Sequence, residues 1–211
     1  MKDEWVVAPA EELCLDFANT RYWRGSTAPT DDLPGLEALA AWCEAKEGLP
    51  AGQAAALLRW AERHGADAAG LYAEALGLRE VIYRLFHAAS DKQPPGAADL
   101  ARLNRALAEA EARHDLAPAG DGLGWRIAGA ITGAVTLLTP VLWSAADLLV
   151  SRRLARVRYC ANPQCRWLFL DDSKSGNRRW CAMSACGNRA KAHRHYARKK
   201  GEADDARRGS G

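Results

Sequence analysis

The sequence predicts a mainly α-helical protein, with a multihelical N-terminal domain followed by a small C-terminal module in which four cysteines hold zinc beside a β-hairpin and a basic helix. Three observations lead there. Apolar residues recur at three- and four-residue spacing through most of residues 36–115. Cys160, Cys165, Cys181 and Cys186 form two matched pairs, and charge is divided sharply between the two ends of the chain.

The helices follow in order. "GLEALAAWCEAKEG" places Leu36, Leu39, Ala40 and Cys43 on one stripe and ends in glycine. "AGQAAALLRWAERHG" repeats the form, with Leu57, Leu58 and Ala61 facing in. "AAGLYAEALGLREVIYRLFHAAS" is the longest, carrying Leu71, Ala75, Leu78, Ile82, Leu85 and Phe86 on its inner face. "DKQPPGA" breaks the chain, and a further amphipathic helix presents Leu100, Leu103, Leu107 and Ala110. "APAGDGLG" reads as a loop and "WRIAGAI" as a strand, before a helix that starts at Thr139-Pro140 and runs to about Leu154. Domain limits follow: 1–154 as a helical effector or dimerisation domain, 155–200 as the metal module, and 201–211 as a disordered tail.

Residues 1–150 carry 13 Lys and Arg against 21 Asp and Glu, whereas residues 151–211 carry 16 against 5. The basic end is suited to a polyanion. The N-terminus lacks the apolar core of a signal peptide, which leads us to expect a cytoplasmic protein. The uncharged run Ile127 to Ala146 approaches the length of a membrane span. Two glycines, three threonines, a serine and Pro140 interrupt it, and it reads as buried core.

Four thiolates from two knuckles, C-x4-C-x15-C-x4-C, are the soft ligand set of a closed tetrahedral structural zinc site. Four thiolates leave no open position for a substrate, so a catalytic metal is not expected. Two disulfides are the competing pairing, and a reducing compartment argues against them. Asn-Pro inside "CANPQC" and glycine after Cys186 supply turn chemistry. "WLFLDDS", "KSGN" and "RRW" read as a hairpin that brings the two pairs together. Cys14 and Cys43, isolated among apolar residues, read as buried small hydrophobes.

From Asn188, "NRAKAHRHYARKK" forms helix until Gly201 and sets Lys191, Arg194, His195 and Arg198 in one sector. Such a face suits phosphates and base edges in a major groove, with Arg178 and Arg179 as flanking clamps and Lys199 extending the row. The bland reading is a solvated charge run. Asn188 is expected to cap the helix after a turn at Gly187. Arg189 points either to a phosphate or back to the carboxylates of Asp171 and Asp172.

"RVRYCANPQCRWLFLDDS" and "RRWCAMSACGNRAKAHRHYARKK", with CGNR at 186–189, resemble the CGNR zinc-finger family of bacterial proteins. "LCLDFANTRYWRG" and "LREVIYRLFHA" are similar to the ABATE domain that commonly precedes it. The resemblance implies a stress-related transcription regulator with one structural Zn2+ on Cys160, Cys165, Cys181 and Cys186, and duplex DNA as partner. It also marks Arg178, Arg179, Asn188, Arg189 and Lys191 as the basic signature.

In the N-terminal domain, Asp16 and Asn19 either line a small-molecule effector pocket or orient helix ends. Trp23, Trp42, Trp60 and Trp143 either line a cavity or pack the core. His64, His87 and His114 stand alone, and no GxGxxG, P-loop, GxSxG or HExxH occurs, so no enzyme is expected. The rival to DNA regulation is a zinc-stabilised module for RNA or an acidic protein. A homodimer is expected because one short finger reads few base pairs.

Overall fold

The computed structural model describes residues 4–46, 48–50, 52–128 and 131–192. In chain order its elements are β1 (Glu4–Val7), α1 (Leu13–Asn19), β2 (Arg21–Tyr22), β3 (Thr30–Asp31), α2 (Leu36–Ala45), α3 (Gln53–Arg63), α4 (Gly65–Ser90) and α5 (Ala97–Glu109). Then come β4 (Leu116–Ala119), β5 (Gly122–Ala128), α6 (Ala134–Leu137), α7 (Thr139–Val150), a 3-10 helix (Arg152–Arg156), β6 (Val157–Tyr159) and β7 (Leu168–Leu170). A π turn, Met183–Gly187, runs directly into α-helical residues 188–192.

α4 is the spine. Its 26 residues span about 39 Å at the α-helical rise. Every apolar residue that the spacing assigned to its inner face is buried: Leu71, Ala75, Leu78, Ile82, Leu85 and Phe86. α1, α2, α3, α5 and α6 pack around it, and so do β6 and β7 from the C-terminal module. Val157, Leu168 and Leu170 of that module belong to the same apolar cluster as Phe17 and Phe86. The hairpin of the finger is therefore built into the core of the helical body.

Three details differ from the sequence reading. "APAGDGLG" is a β-hairpin and not a loop: β4 and β5 pair antiparallel, with Ala119 opposite Gly122. β1 adds to the other edge of β5, with Trp5 opposite Ile127. Leu100 of α5 is 39% exposed although Leu103 beside it is 1% exposed, and it borders an open groove with Leu85, Ala89 and Val150. The apolar run through Pro140 divides into α6 and α7, and no helix among the described residues is long and apolar enough to cross a membrane. Thr139 is already helical and Leu138 occupies the N-cap position, so Pro140 falls within the first turn, where a missing N–H costs nothing.

A buried polar network fixes the segment between α1 and β3. Arg79, 2% exposed on α4, donates two hydrogen bonds to Asp31 at 2.7 and 2.6 Å. Arg24 donates to Glu80 at 2.6 Å and to the Ala18 carbonyl at 2.8 Å, with its guanidinium 3.8 Å from the Tyr83 ring centroid. Burial alone would raise the Asp31 carboxyl, but the Arg79 fork reverses this and holds it below the ordinary carboxylate range. The segment so pinned carries Trp23 and Gly25 to the finger.

Candidate metal centre and nucleic-acid interface

β6 and β7 pair antiparallel, Val157 opposite Leu170 and Tyr159 opposite Leu168. The Cys160 N–H continues the ladder by donating to the Trp167 carbonyl at 2.8 Å. The first knuckle, residues 160–166, is thus the turn of this hairpin. The Asn162 side-chain oxygen accepts from the Gln164 N–H at 3.1 Å, an Asx turn, and its amide donates to Cys186 Sγ at 3.6 Å. Arg166, at φ +57°, returns the chain into β7.

The predicted pairing of "WLFLDDS" with "RRW" is not what joins the two knuckles. The buried carboxylate of Asp171 does so: it accepts from the Ser173 N–H, the Ser173 hydroxyl and the Arg178 N–H. Burial pushes this carboxyl up, but those hydrogen bonds outweigh it and its pKa is lowered. The Ala161 N–H then donates to the Arg179 carbonyl at 2.9 Å, which seats the second knuckle against the first.

The four sulfurs of Cys160, Cys165, Cys181 and Cys186 all lie within 4.8 Å of one another. Cys165 and Cys181 Sγ are 3.8 Å apart. Zn–S bonds of about 2.3 Å in a tetrahedron separate sulfurs by about 3.8 Å, so the cluster has the size of a Zn(Cys)4 site. Hydrogen bonds from Cys165 and Cys181 lower the pKa of Cys160, while those of Cys165 and Cys181 are raised. One divalent ion would bind all four as thiolates, since metal ligation requires the deprotonated sulfur. The residues fit one structural zinc ion. Cys14 and Cys43 are the buried hydrophobes expected, their thiols pushed up to about 12 by burial.

The helical body supplies part of the site's wall, for which the chain carries no spacing signal. Trp23 packs on the cysteine cluster together with Trp167 and Trp180. Gly25 donates its N–H to the Gln164 carbonyl at 3.2 Å, and a Cβ there would stand 1.8 Å from the Pro163 carbonyl oxygen. Asn19 clamps the hairpin from the other side: its Nδ2 donates to the Leu168 carbonyl at 2.8 Å and its Oδ1 accepts from the Leu168 N–H at 2.9 Å. Asp16 pairs with Lys46 at 2.7 Å at the surface. Both border a groove of about 520 Å³ whose walls include Glu12, Trp167 and Arg178. Trp143 is core, Trp42 and Trp60 pack partly buried against it, and His64 stacks on Trp60.

The helix begins earlier than expected. Asn188 has helical dihedrals, φ −67° and ψ −39°, and its amide donates to the Ser184 carbonyl at 3.4 Å, so it lies inside the helix and is no N-cap. The turn starts at Met183, and Cys186 is itself helical. Gly187 serves close approach: a Cβ would stand 2.6 Å from Met183 Sδ. Arg189 lies over Trp23, 4.9 Å from the ring centroid. Asp171 is filled as described and Asp172 pairs with Arg153, so neither receives Arg189. Arg178 is exposed but tied to the backbone, donating to the Trp180 and Cys181 carbonyls. Arg179 and Lys191 are exposed. Arg194, His195, Arg198, Lys199 and the tail 201–211 lie outside the described residues.

Comparison with known proteins agrees with this architecture. A family model described as "Putative stress-induced transcription regulator", ABATE, matches residues 11–152, and the CGNR zinc finger matches residues 156–199. No curated protein matches the chain. The two matches meet at the 3-10 helix Arg152–Arg156, where the helical body passes into the hairpin that carries Cys160, and the chain belongs to the ABATE family with a C-terminal CGNR zinc finger.

Proposed function

We propose that this chain is a cytoplasmic bacterial transcription regulator that binds duplex DNA through the basic helix at its finger, with the helical body serving as dimerisation and effector domain. The observation that carries the reading is the continuity of the metal site with the helix. Cys186 sits in the π turn from which residues 188–192 continue without a break, so a ligand and the root of the basic helix form one rigid piece. Arg189 and Lys191, on this anchored stretch, meet a partner without first being ordered, which lowers the entropic cost of binding. Arg189 and Lys191 open the basic face, and Arg194, His195, Arg198 and Lys199 follow in sequence, with Arg179 on the adjoining knuckle.

The groove beside Asp16 and Asn19 is the proposed effector site, because a molecule there touches α1, the hairpin strand β7 and Cys181 together. Occupancy would bear directly on the clamp between body and finger.

The test is binding of the purified zinc-loaded protein to genomic duplex fragments across a range of salt. Binding that selects a common sequence, falls steeply with salt, and is abolished when zinc is stripped supports regulation. Equal binding to any polyanion, with or without zinc, contradicts it and favours the RNA or acidic-protein module.

A further inference from the structure

A second basic surface borders the first knuckle. A groove of about 510 Å³ runs between the C-terminal end of α4 and the hairpin, and Arg158, Arg166, Arg178 and Arg179 line it. Asp91 is the one carboxylate among its lining residues. A second depression, of about 530 Å³, reaches Arg189 and Ala190 at the root of the basic helix. The two share Ala161, Pro163 and Arg179, so they adjoin one another at the knuckle.

The two arginines at the far end are held in place. Arg158 Nη1 donates to the Ala155 and Val157 carbonyls at 2.8 and 2.9 Å. Arg166 Nη1 lies 3.4 Å from His87 Nε2, and its guanidinium stands 5.2 Å from the Tyr159 ring centroid. His87 stacks on that same tyrosine at 4.4 Å, and the Tyr159 hydroxyl donates to Asp91 at 2.9 Å. Two positioned guanidinium groups on a rigid frame are suited to phosphate oxygens, which they meet with little loss of side-chain entropy.

We infer that these two adjoining grooves carry the phosphate backbone of bound duplex DNA from the basic helix across the knuckle to the end of α4, with Arg158 and Arg166 as phosphate contacts and Asp91 opposing them. The inference rests on the DNA-binding reading and extends the footprint onto the helical body, so that α4 itself borders the nucleic acid.

The experiment measures duplex affinity against salt for the full-length, zinc-loaded protein and for Arg158→Gln, Arg166→Gln and Asp91→Asn, with zinc content determined for each. Each arginine variant is expected to lower affinity about fivefold to tenfold, uniformly across sequences, and to reduce the slope of log K against log salt by about 0.9. Asp91→Asn is expected to act in the opposite direction and tighten binding. Should an arginine variant lose zinc or fold, Asp91→Asn alone decides, and unchanged affinity there overturns the inference. Wild-type binding with the same slope in both arginine variants also overturns it and leaves the DNA reading intact. Failure of the wild-type protein to bind duplex overturns both. Inorganic phosphate distinguishes the other source of the same chemistry: Arg158-dependent thermal stabilisation by phosphate, with unaltered DNA slopes, would make the groove a small-anion site and overturn the DNA track.

Discussion

The helical body and the finger keep their shapes by different means. The body buries large apolar side chains, Phe17, Phe86, Leu78 and Ile82 among them, around one long helix. The metal end of the finger has few such residues among those described: Cys160, Cys165 and Cys186 are its buried centre, walled by Trp23, Trp167 and Trp180. Between the two lies β6–β7, which is apolar core on its inner side and metal knuckle at its turn. Two sources of stability are thereby coupled through three residues of each strand. Loss of metal at the knuckle is therefore expected to lower the stability of the body, and substitutions where body meets finger are expected to weaken metal retention.

The largest effect should come from the metal. Cys160→Ser is expected to abolish the one-to-one zinc content and to remove much of the roughly 10 kcal/mol that a structural zinc contributes to such modules. Metal analysis and urea unfolding check both, and full zinc retention would break the assignment. Next is the clamp. Asn19→Ala removes both bonds to Leu168 and leaves a buried backbone N–H and C=O without partners, at a cost of about 2–4 kcal/mol. Gly25→Ala pushes the Trp23 loop off the Pro163 carbonyl, with about 1–3 kcal/mol lost and faster zinc release to a chelator.

Acid separates the regions differently. Asp31 in the body and Asp171 in the finger both have lowered folded-state pKa values, so each contributes stability that is complete above the ordinary carboxylate range and is lost as pH falls through its folded value. Unfolding measured between about pH 5 and 2 should show an acid loss. Asp31→Asn is expected to flatten it in part. The smallest effect is expected at the surface pair Arg84–Asp99, where Arg84→Ala costs within about 1 kcal/mol because its side chain is 52% exposed.

Much of this was legible before any coordinates. The i, i+4 run from Leu71 to Phe86 gave the spine, and the Cys160 to Cys186 spacing gave the metal site, because periodic burial and metal ligation both leave regular intervals in sequence. The seam left none. Trp23, Gly25 and Asn19 act on residues more than a hundred positions away, and nothing about "ANTRYWRGS" specifies that partner. Asn19 looked like a helix-end or pocket residue, and it holds β7. The start of the basic helix was misplaced for a local reason: Gly187 reads as a turn, yet here it makes room for Met183. Asn162 was the readable exception, since asparagine two residues after a ligand and before proline is a turn signal.

The central claim is that finger and body share one core through β6–β7. Hydrogen exchange of the full-length protein, with zinc bound and after chelation, tests it most directly. The account predicts that chelation lowers protection at residues 157–170 and also in α1 and the C-terminal half of α4. Protection lost only within residues 160–192, with α1 and α4 unchanged, would contradict it.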